Sequence, residues 1–443
     1  MLIRQALVIN EGRSFIADLR TEGPWIAEIS ETGLIAKQGE EELDASGKWL
    51  VPGVIDDQVH FREPGFTHKA EIATESMAAL AGGVTSYMEM PNVNPQTTSI
   101  EKLEEKMQIG AAKSKVNYSF FLGATNHNLD ELRKINIENT CGIKIFMGSS
   151  TGDMLVDNQN TLDKIFAESQ SLIATHCENE LRIKRRLQEV KYWYGEDIPA
   201  ELHPVIRDEE ACYLSSSFAV ELAKNHNTRL HILHITTARE TALFHNDIPL
   251  EQKRITSEVC VHHLHFTSND YKTLGNLIKC NPAIKAPNNR EALWTALLDD
   301  RLDIIATDHA PHTWDEKQQM YSKSPAGLPL VQHSLQMMLE YALQGKISKE
   351  RVIEKMCHAP AKCFQVQKRG YIREGYYADL VLVDPNRMYQ INKENILYKC
   401  GWSPLEGTTF SHAIDKVLVN GTLSWDNGFT GNKNPMRLLF DRK

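Results

Sequence analysis

Eight short apolar runs recur between residues 51 and 369, and most are followed by a polar loop and a helical stretch. The runs are Val54–His60, Val84–Met90, Asn117–Gly123, Gly142–Met147, Ser171–His176, Arg229–Ile235, Arg254–Cys260 and Asp303–Asp308. Continuous apolar runs, rather than alternating ones, mark strands that are covered on both faces. Helical segments such as Lys69–Ala81, stopped by Gly82-Gly83, and Asp208–Asn225 fall between them. Eight buried strands alternating with helices predict an α/β chain folded as a (β/α)8 TIM-like barrel.

The two ends have another rhythm. Ala6–Ile9 and Phe15–Ala17 flank Glu11-Gly12, and Lys416–Val419 runs into Asn420-Gly421. Ala378–Val383 is a further strand run. Hairpin-forming turns between short apolar runs predict a sheet. We therefore expect residues 1–50 and 370–443 to form one small β-sandwich domain from both termini, and residues 51–369 to form the barrel.

Composition narrows the function classes. The formal charge of −9, with no run of Lys and Arg, argues against a nucleic-acid surface. No apolar run reaches the roughly 18 residues that a membrane span needs. The start carries no secretory pattern. The eight cysteines are scattered without a Cys-x-x-Cys pair, which fits reduced thiols of a cytoplasmic protein.

Polar residues sit at matching places on five of the eight runs. His60 closes the first, Lys144 lies in the fourth, His176 closes the fifth, His234 lies near the end of the sixth, and Asp308 closes the eighth. Groups at the C-terminal ends of barrel strands converge on one mouth. Imidazoles with a carboxylate suit zinc and similar ions. Taken singly, a His after an apolar run is an ordinary structural residue, Lys144 fits a snorkelling side chain, and Asp308 fits a turn cap. Their coincidence at one position on five strands favours a metal centre. His231 and His262-His263 read as structural or supporting residues.

The motifs resemble those of dihydroorotases and allantoinases in the amidohydrolase superfamily. They are Asp57-Gln58-Val59-His60-Phe61-Arg62-Glu63-Pro64-Gly65, Glu89-Met90-Pro91-Asn92, Gly142-Ile143-Lys144, Thr175-His176-Cys177-Glu178-Asn179, His231-Ile232-Leu233-His234 and Ala306-Thr307-Asp308-His309-Ala310-Pro311-His312, in that order. Lys279-Cys280-Asn281-Pro282 and Ser324-Pro325-Ala326-Gly327 match further family segments. The resemblance implies zinc held by His60, Lys144, His176, His234 and Asp308, with Lys144 carboxylated by carbon dioxide. Asp153 is the alternative carboxylate.

The resemblance also implies a reaction. Water made acidic by the metal attacks a ring amide, and Asp308 takes its proton and returns it to the leaving nitrogen. Dihydroorotate would open to carbamoyl aspartate and close in reverse, a step of pyrimidine formation. Arg62, Asn92 and His312 would hold the substrate carboxylate, with Asn281 and the backbone of Ala326-Gly327 on the ring. The family pattern has a His where this chain has Gln58, so one tight metal and a weaker second are expected. The segment Gly148–Asp153 fits a mobile rim or an ordinary loop. A homo-oligomer is compatible with this reading. The rivals are an allantoinase, a dihydropyrimidinase-like enzyme, and a noncatalytic homologue with a degraded metal site.

Overall fold

Strands β1 (Leu2–Asn10) and β2 (Arg13–Glu22) pair antiparallel around Glu11-Gly12. The φ angles of 51° and 76° at these two residues suit the tight turn that matches strand twist. The computed structural model describes residues 1–148, 154–431 and 433–442. Next come β3 (Trp25–Ser30), β4 (Glu42–Asp44) and β5 (Trp49–Pro52). Gln5, at φ 51°, sits where the β1–β2 register shifts. The first part of β1 pairs with β4 and its second part with β5, so the bulge bends the sheet.

The barrel follows. β6 (Val54–Val59), β7 (Val84–Glu89) and β8 (Asn117–Phe120) pair in parallel. So do β9 (Leu122–Gly123), β10 (Ile143–Phe146), β11 (Ile173–His176), β12 (Leu230–Ile232), β13 (Ile255–Cys260) and β14 (Ile304–Ala306). β8 and β9 are two halves of the run Asn117–Gly123, parted at Phe121. The ring closes where Val59 bridges His309 in parallel and the His60 N–H donates to the His309 carbonyl at 2.7 Å. All eight expected runs are thus strands, and every residue in β6–β14 except Ile255 is buried. Parallel strands covered inside and outside leave no face for polar alternation, which is why the runs are continuous.

The helix expected over Lys69–Ala81 starts later, at Ile72, because the Glu63 carboxylate takes the Ile72 N–H at 3.0 Å while Glu71 stays extended as its cap. The helix expected over Asp208–Asn225 is Glu209–His226. Asp208 caps it through the Ala211 N–H at 3.0 Å, and left-handed Asn227 ends it.

After the barrel come β15 (Leu380–Asp384), the short pair β16 (Tyr389–Gln390) and β17 (Thr409–Phe410), then β18 (Ala413–Val419) and β19 (Thr422–Asp426). Asn420-Gly421 makes the last hairpin, with φ of 49° and 73°. The terminal strands join in the order β19-β18-β15-β5-β1-β2-β3, with β4 beside β1. This sheet encloses its own apolar cluster, including Val8, Leu19, Leu50, Leu380 and Leu418. The C-terminal tail seals the end of the barrel opposite the strand C-termini. Leu438 N–H bonds the Tyr118 carbonyl at 2.9 Å, and the Arg442 guanidinium donates to the carbonyls of Thr140, Cys141 and Phe364.

Candidate active site

The C-terminal ends of the barrel strands surround a cavity of about 80 Å³ lined by Gln58, His60, Arg62, Asn92, Lys144, Phe146, His176, His234, Asn281, Asp308, Ala310, Ala326 and Gly327. All five expected metal ligands are among them, and so are five of the six expected substrate contacts. The sixth, His312, stands behind Arg62, with Nε2 3.1 Å from Arg62 Nη2 and 3.0 Å from the Ala326 carbonyl. Asp153 and most of the expected rim, Ser149–Asp153, lie outside the described residues. A roomier groove of about 650 Å³ runs between the helix Ile72–Ala81 and the β18–β19 hairpin. Its lining is mainly apolar around Arg387 and Glu394 and contains no imidazole, so it offers no comparable chemistry.

The backbone is strained at this mouth. Arg62, His234 and Asp308 have φ of 67°, 40° and 47°, a left-handed conformation that non-glycine residues rarely adopt. Each costs of order 1–3 kcal/mol and persists only where the surroundings impose it. Leaving the strand in this way turns each side chain from the barrel wall into the cavity. Gly327 has φ 143°, and a Cβ there would fall 2.3 Å from the Ala310 carbonyl.

Neighbours fix each ring. His60 Nε2 lies 3.1 Å from Asp308 Oδ1, and its Nδ1 lies 2.8 Å from Asn92 Oδ1. His176 Nδ1 and His234 Nε2 face each other at 2.9 Å. The other nitrogen of His176 is 3.0 Å from Glu178, which also pairs with Arg207. Burial pushes the Glu178 carboxyl up, but Arg207 and His176 outweigh it and hold the group well below the usual carboxylate range. The His234 backbone N–H donates to Glu258 at 3.1 Å. Gln58 turns its amide nitrogen to Asp308 at 3.2 Å and its amide oxygen toward the Cys260 thiol.

Burial sets the charge states. It lowers the pKa of His60, His176 and His234, so the rings are neutral at neutral pH and each retains one lone pair. Asp308 stays ionised, because His60 beside it outweighs the burial penalty. Burial brings the Lys144 ammonium down to about 7 against the pull of Asp308 and Glu258. It brings Arg62 down to about 10, so the guanidinium remains charged. Three neutral imidazoles, a carboxylate and a deprotonatable amine around one cavity fit a divalent ion of the zinc type.

Several supporting residues escaped sequence reasoning. Lys317 is buried and donates to the carbonyls of Lys279, Pro325 and Gly327 at 3.0–3.1 Å. Lys279 donates to those of Tyr321 and Ser324. Together they pin the loop that brings Ala326-Gly327 to the cavity. The buried pair Glu89–Lys106 ties the ends of β6 and β7, with Glu89 accepting the Phe61 N–H at 3.1 Å and Lys106 donating to the Met90 carbonyl at 2.8 Å. Glu89, Glu178 and Lys279 sit inside motifs that point to the site but carry no assigned role, whereas Lys106, Arg207 and Lys317 lie outside every motif. His231 and His262-His263 lie off the cavity. His231 is held by Asp57, Glu258 and Thr256.

Residues 49–423 match the amidohydrolase family. The chain belongs to that family. Among curated amidohydrolase relatives, a dihydroorotase of Halobacterium salinarum is 33% identical over 428 residues, covering 96% of each chain. An allantoinase of Deinococcus radiodurans is 30% identical, covering 97% of this chain and 96% of its own. Among solved structures, the L-hydantoinase (dihydropyrimidinase) of Arthrobacter aurescens superposes with a TM-score of 0.90 at 25% identity, covering 98% of this chain and 97% of that one.

Proposed function

We propose that this amidohydrolase is a dihydroorotase, which opens the cyclic amide of dihydroorotate to carbamoyl aspartate and closes it again in pyrimidine formation. One observation carries the choice of substrate. Arg62 is a buried cation at the cavity wall, and among the described residues no carboxylate pairs with it. A buried charge without a partner is costly, and a substrate carboxylate removes the deficit by accepting two charge-assisted hydrogen bonds. Allantoin and hydantoin carry no carboxylate and leave Arg62 unpaired. The similarity to an allantoinase keeps that activity as the second reading.

His60, His176, His234, Asp308 and Lys144 would hold zinc. The bound ion would supply a Lewis acid and a water acidified to near-neutral pKa. The lowered pKa of Lys144 supports its carboxylation, since only a neutral amine adds carbon dioxide, and the carbamate turns a cation into an anionic ligand. Gln58 donates to Asp308 rather than offering an imidazole, which supports one tight ion and a weaker second. Asp308 takes the proton of the attacking water and passes it to the ring nitrogen as the amide opens. Arg62, with Asn92 and His312 beside it, orients the substrate by its carboxylate. Asn281, whose Oδ1 is buried and unpartnered, accepts a ring N–H next to the backbone of Ala326 and Gly327.

In the same reading, residues 51–369 are the catalytic barrel, and residues 1–50 with 370–443 are a small β-sandwich domain, supported by its separate apolar cluster. Among the described residues no helix is long and apolar enough to cross a membrane. Eight cysteines without a disulfide support a cytoplasmic setting. The exposed Leu181, Tyr192 and Trp193 support a homo-oligomer. Hydrolysis of dihydroorotate, allantoin and hydantoin measured side by side on zinc-loaded protein tests the assignment. Dihydroorotate should be the preferred substrate, and a preference for allantoin would replace this reading with the second.

A further inference from the structure

His262, His263 and Cys280 meet in the interior, outside the cavity described above. The two histidines lie on the short helix Val261–His265 after β13, and Cys280 immediately precedes Asn281. One ligand atom from each residue lies within 4.8 Å of the other two. The imidazole centroids are 4.1 Å apart. All three side chains are buried, with exposures of 0%, 3% and 1%.

Their hydrogen bonding is anomalous for an interior. Nε2 of His263 has no hydrogen-bond partner, and the ring nitrogens of His262 make no well-formed hydrogen bond, the backbone of Thr307 being the one hydrogen-bonding group that acts on that ring. A buried polar atom left in this state costs about 1–3 kcal/mol, and native interiors satisfy nearly all such atoms. Buried His412 and, at Nε2, His333 share this state singly, but only at His262 and His263 does it coincide, among the described residues, with a cysteine within ligand distance. His203, His231 and His309 each use both ring nitrogens. Burial lowers His262 to about 4 and His263 well below its ordinary value, so both rings are neutral and each offers a lone pair. The Cys280 thiol donates only to the Pro282 carbonyl, at 3.3 Å.

We propose that His262, His263 and Cys280 form a separate site for a thiophilic transition-metal ion, with Zn²⁺ as the first candidate. Two imidazoles and a thiolate are a borderline-soft donor set, and a set with no carboxylate selects against Mg²⁺ and Ca²⁺. Sγ and one nitrogen from each ring supply three ligands and leave a fourth position for a small molecule such as water. Loading releases the Cys280 thiol proton to solvent, since the thiolate is the ligand. The site does not depend on the proposed reaction, because none of the five residues assigned to the catalytic ion carries sulfur.

The test is cobalt substitution of the full-length protein, comparing the natural chain with Cys280→Ala and with Cys260→Ala as a control for the thiol nearest Gln58. The natural chain and Cys260→Ala should show a near-ultraviolet thiolate-to-cobalt charge-transfer band. Cys280→Ala should lose the band together with one cobalt per chain. Should Cys280→Ala fail to fold, X-ray absorption of the natural zinc-loaded protein must still find a sulfur neighbour at about 2.3 Å. A natural chain with no band, a band that survives in Cys280→Ala, or zinc with only nitrogen and oxygen neighbours overturns the proposal. Dihydroorotate turnover on the same samples reports on the catalytic reading separately.

Discussion

Replacing Arg62 by Met should separate substrate recognition from folding. In the structure Arg62 Nε donates to the Pro311 carbonyl at 3.1 Å and Nη2 faces His312, so Nη1 and the remaining Nη2 hydrogen are free for a ligand. Two hydrogen bonds to a carboxylate contribute about 1.5 kcal/mol each at the low end. Their loss of about 3 kcal/mol corresponds to a roughly 100-fold fall in affinity. The stability ledger runs differently. Met removes a buried, unpaired cation and keeps most of the side-chain volume, while the Pro311 carbonyl loses one donor, so unfolding free energy should change by no more than about 1 kcal/mol. The assay is initial-rate kinetics with dihydroorotate, beside inhibition by dihydrouracil, the same ring without the carboxylate. The KM for dihydroorotate should rise roughly 100-fold and the inhibition constant for dihydrouracil should stay within about threefold. A KM change below about fivefold, or equal losses for both compounds, would refute the role given to Arg62.

Two further outcomes are expected from the buried charges and a third from the metal site. Lys106→Met strands Glu89, whose carboxyl burial already raises to about 7, and should lower unfolding free energy by about 3–5 kcal/mol in urea titrations; a loss under about 1 kcal/mol contradicts it. His231 sits between Asp57 and Glu258, which outweigh burial and raise its pKa from 6.5 to about 9. A folded pKa above the unfolded one gives stability that is complete below pH 6.5 and lost as pH rises through about 9, amounting to ~3 kcal/mol. His231→Gln should flatten that decline between roughly pH 6 and pH 10, and an unchanged pH profile would count against the ion triad. In the Cys280→Ala background, dialysed protein should keep one zinc per chain, whereas two equally tight ions would contradict the weak second site inferred from Gln58.

The barrel was legible because its strands are buried on both faces and so read as unbroken apolar runs, and because His60, His176 and Asp308 end three of those runs. His60, His176 and Asp308 needed only a position on a strand to be placed. The hairpins at Glu11-Gly12 and Asn420-Gly421 were legible because left-handed turn pairs have a narrow residue choice. What escaped depends on contacts between distant segments. Lys317 and Lys279 look like surface lysines until the loop after Tyr321 folds over them and presents its carbonyls. Arg207 gains its role only because the short helix His203–Ile206 before it sets it against Glu178. The pairing of Leu438 with β8 and the burial of Arg442 are set by the barrel floor, not by the tail's own pattern. The orientation of Gln58, amide nitrogen toward Asp308, is likewise fixed by its neighbours Asp308 and Cys260.

In the proposed reaction His60, Lys144, His176, His234 and Asp308 act together on a metal ion to open a ring amide. Turnover of dihydroorotate by purified full-length protein, followed through chelation and zinc return, tests it most directly. Activity should vanish on chelation and recover with zinc. A folded, zinc-loaded protein that leaves dihydroorotate and carbamoyl aspartate unchanged would contradict it.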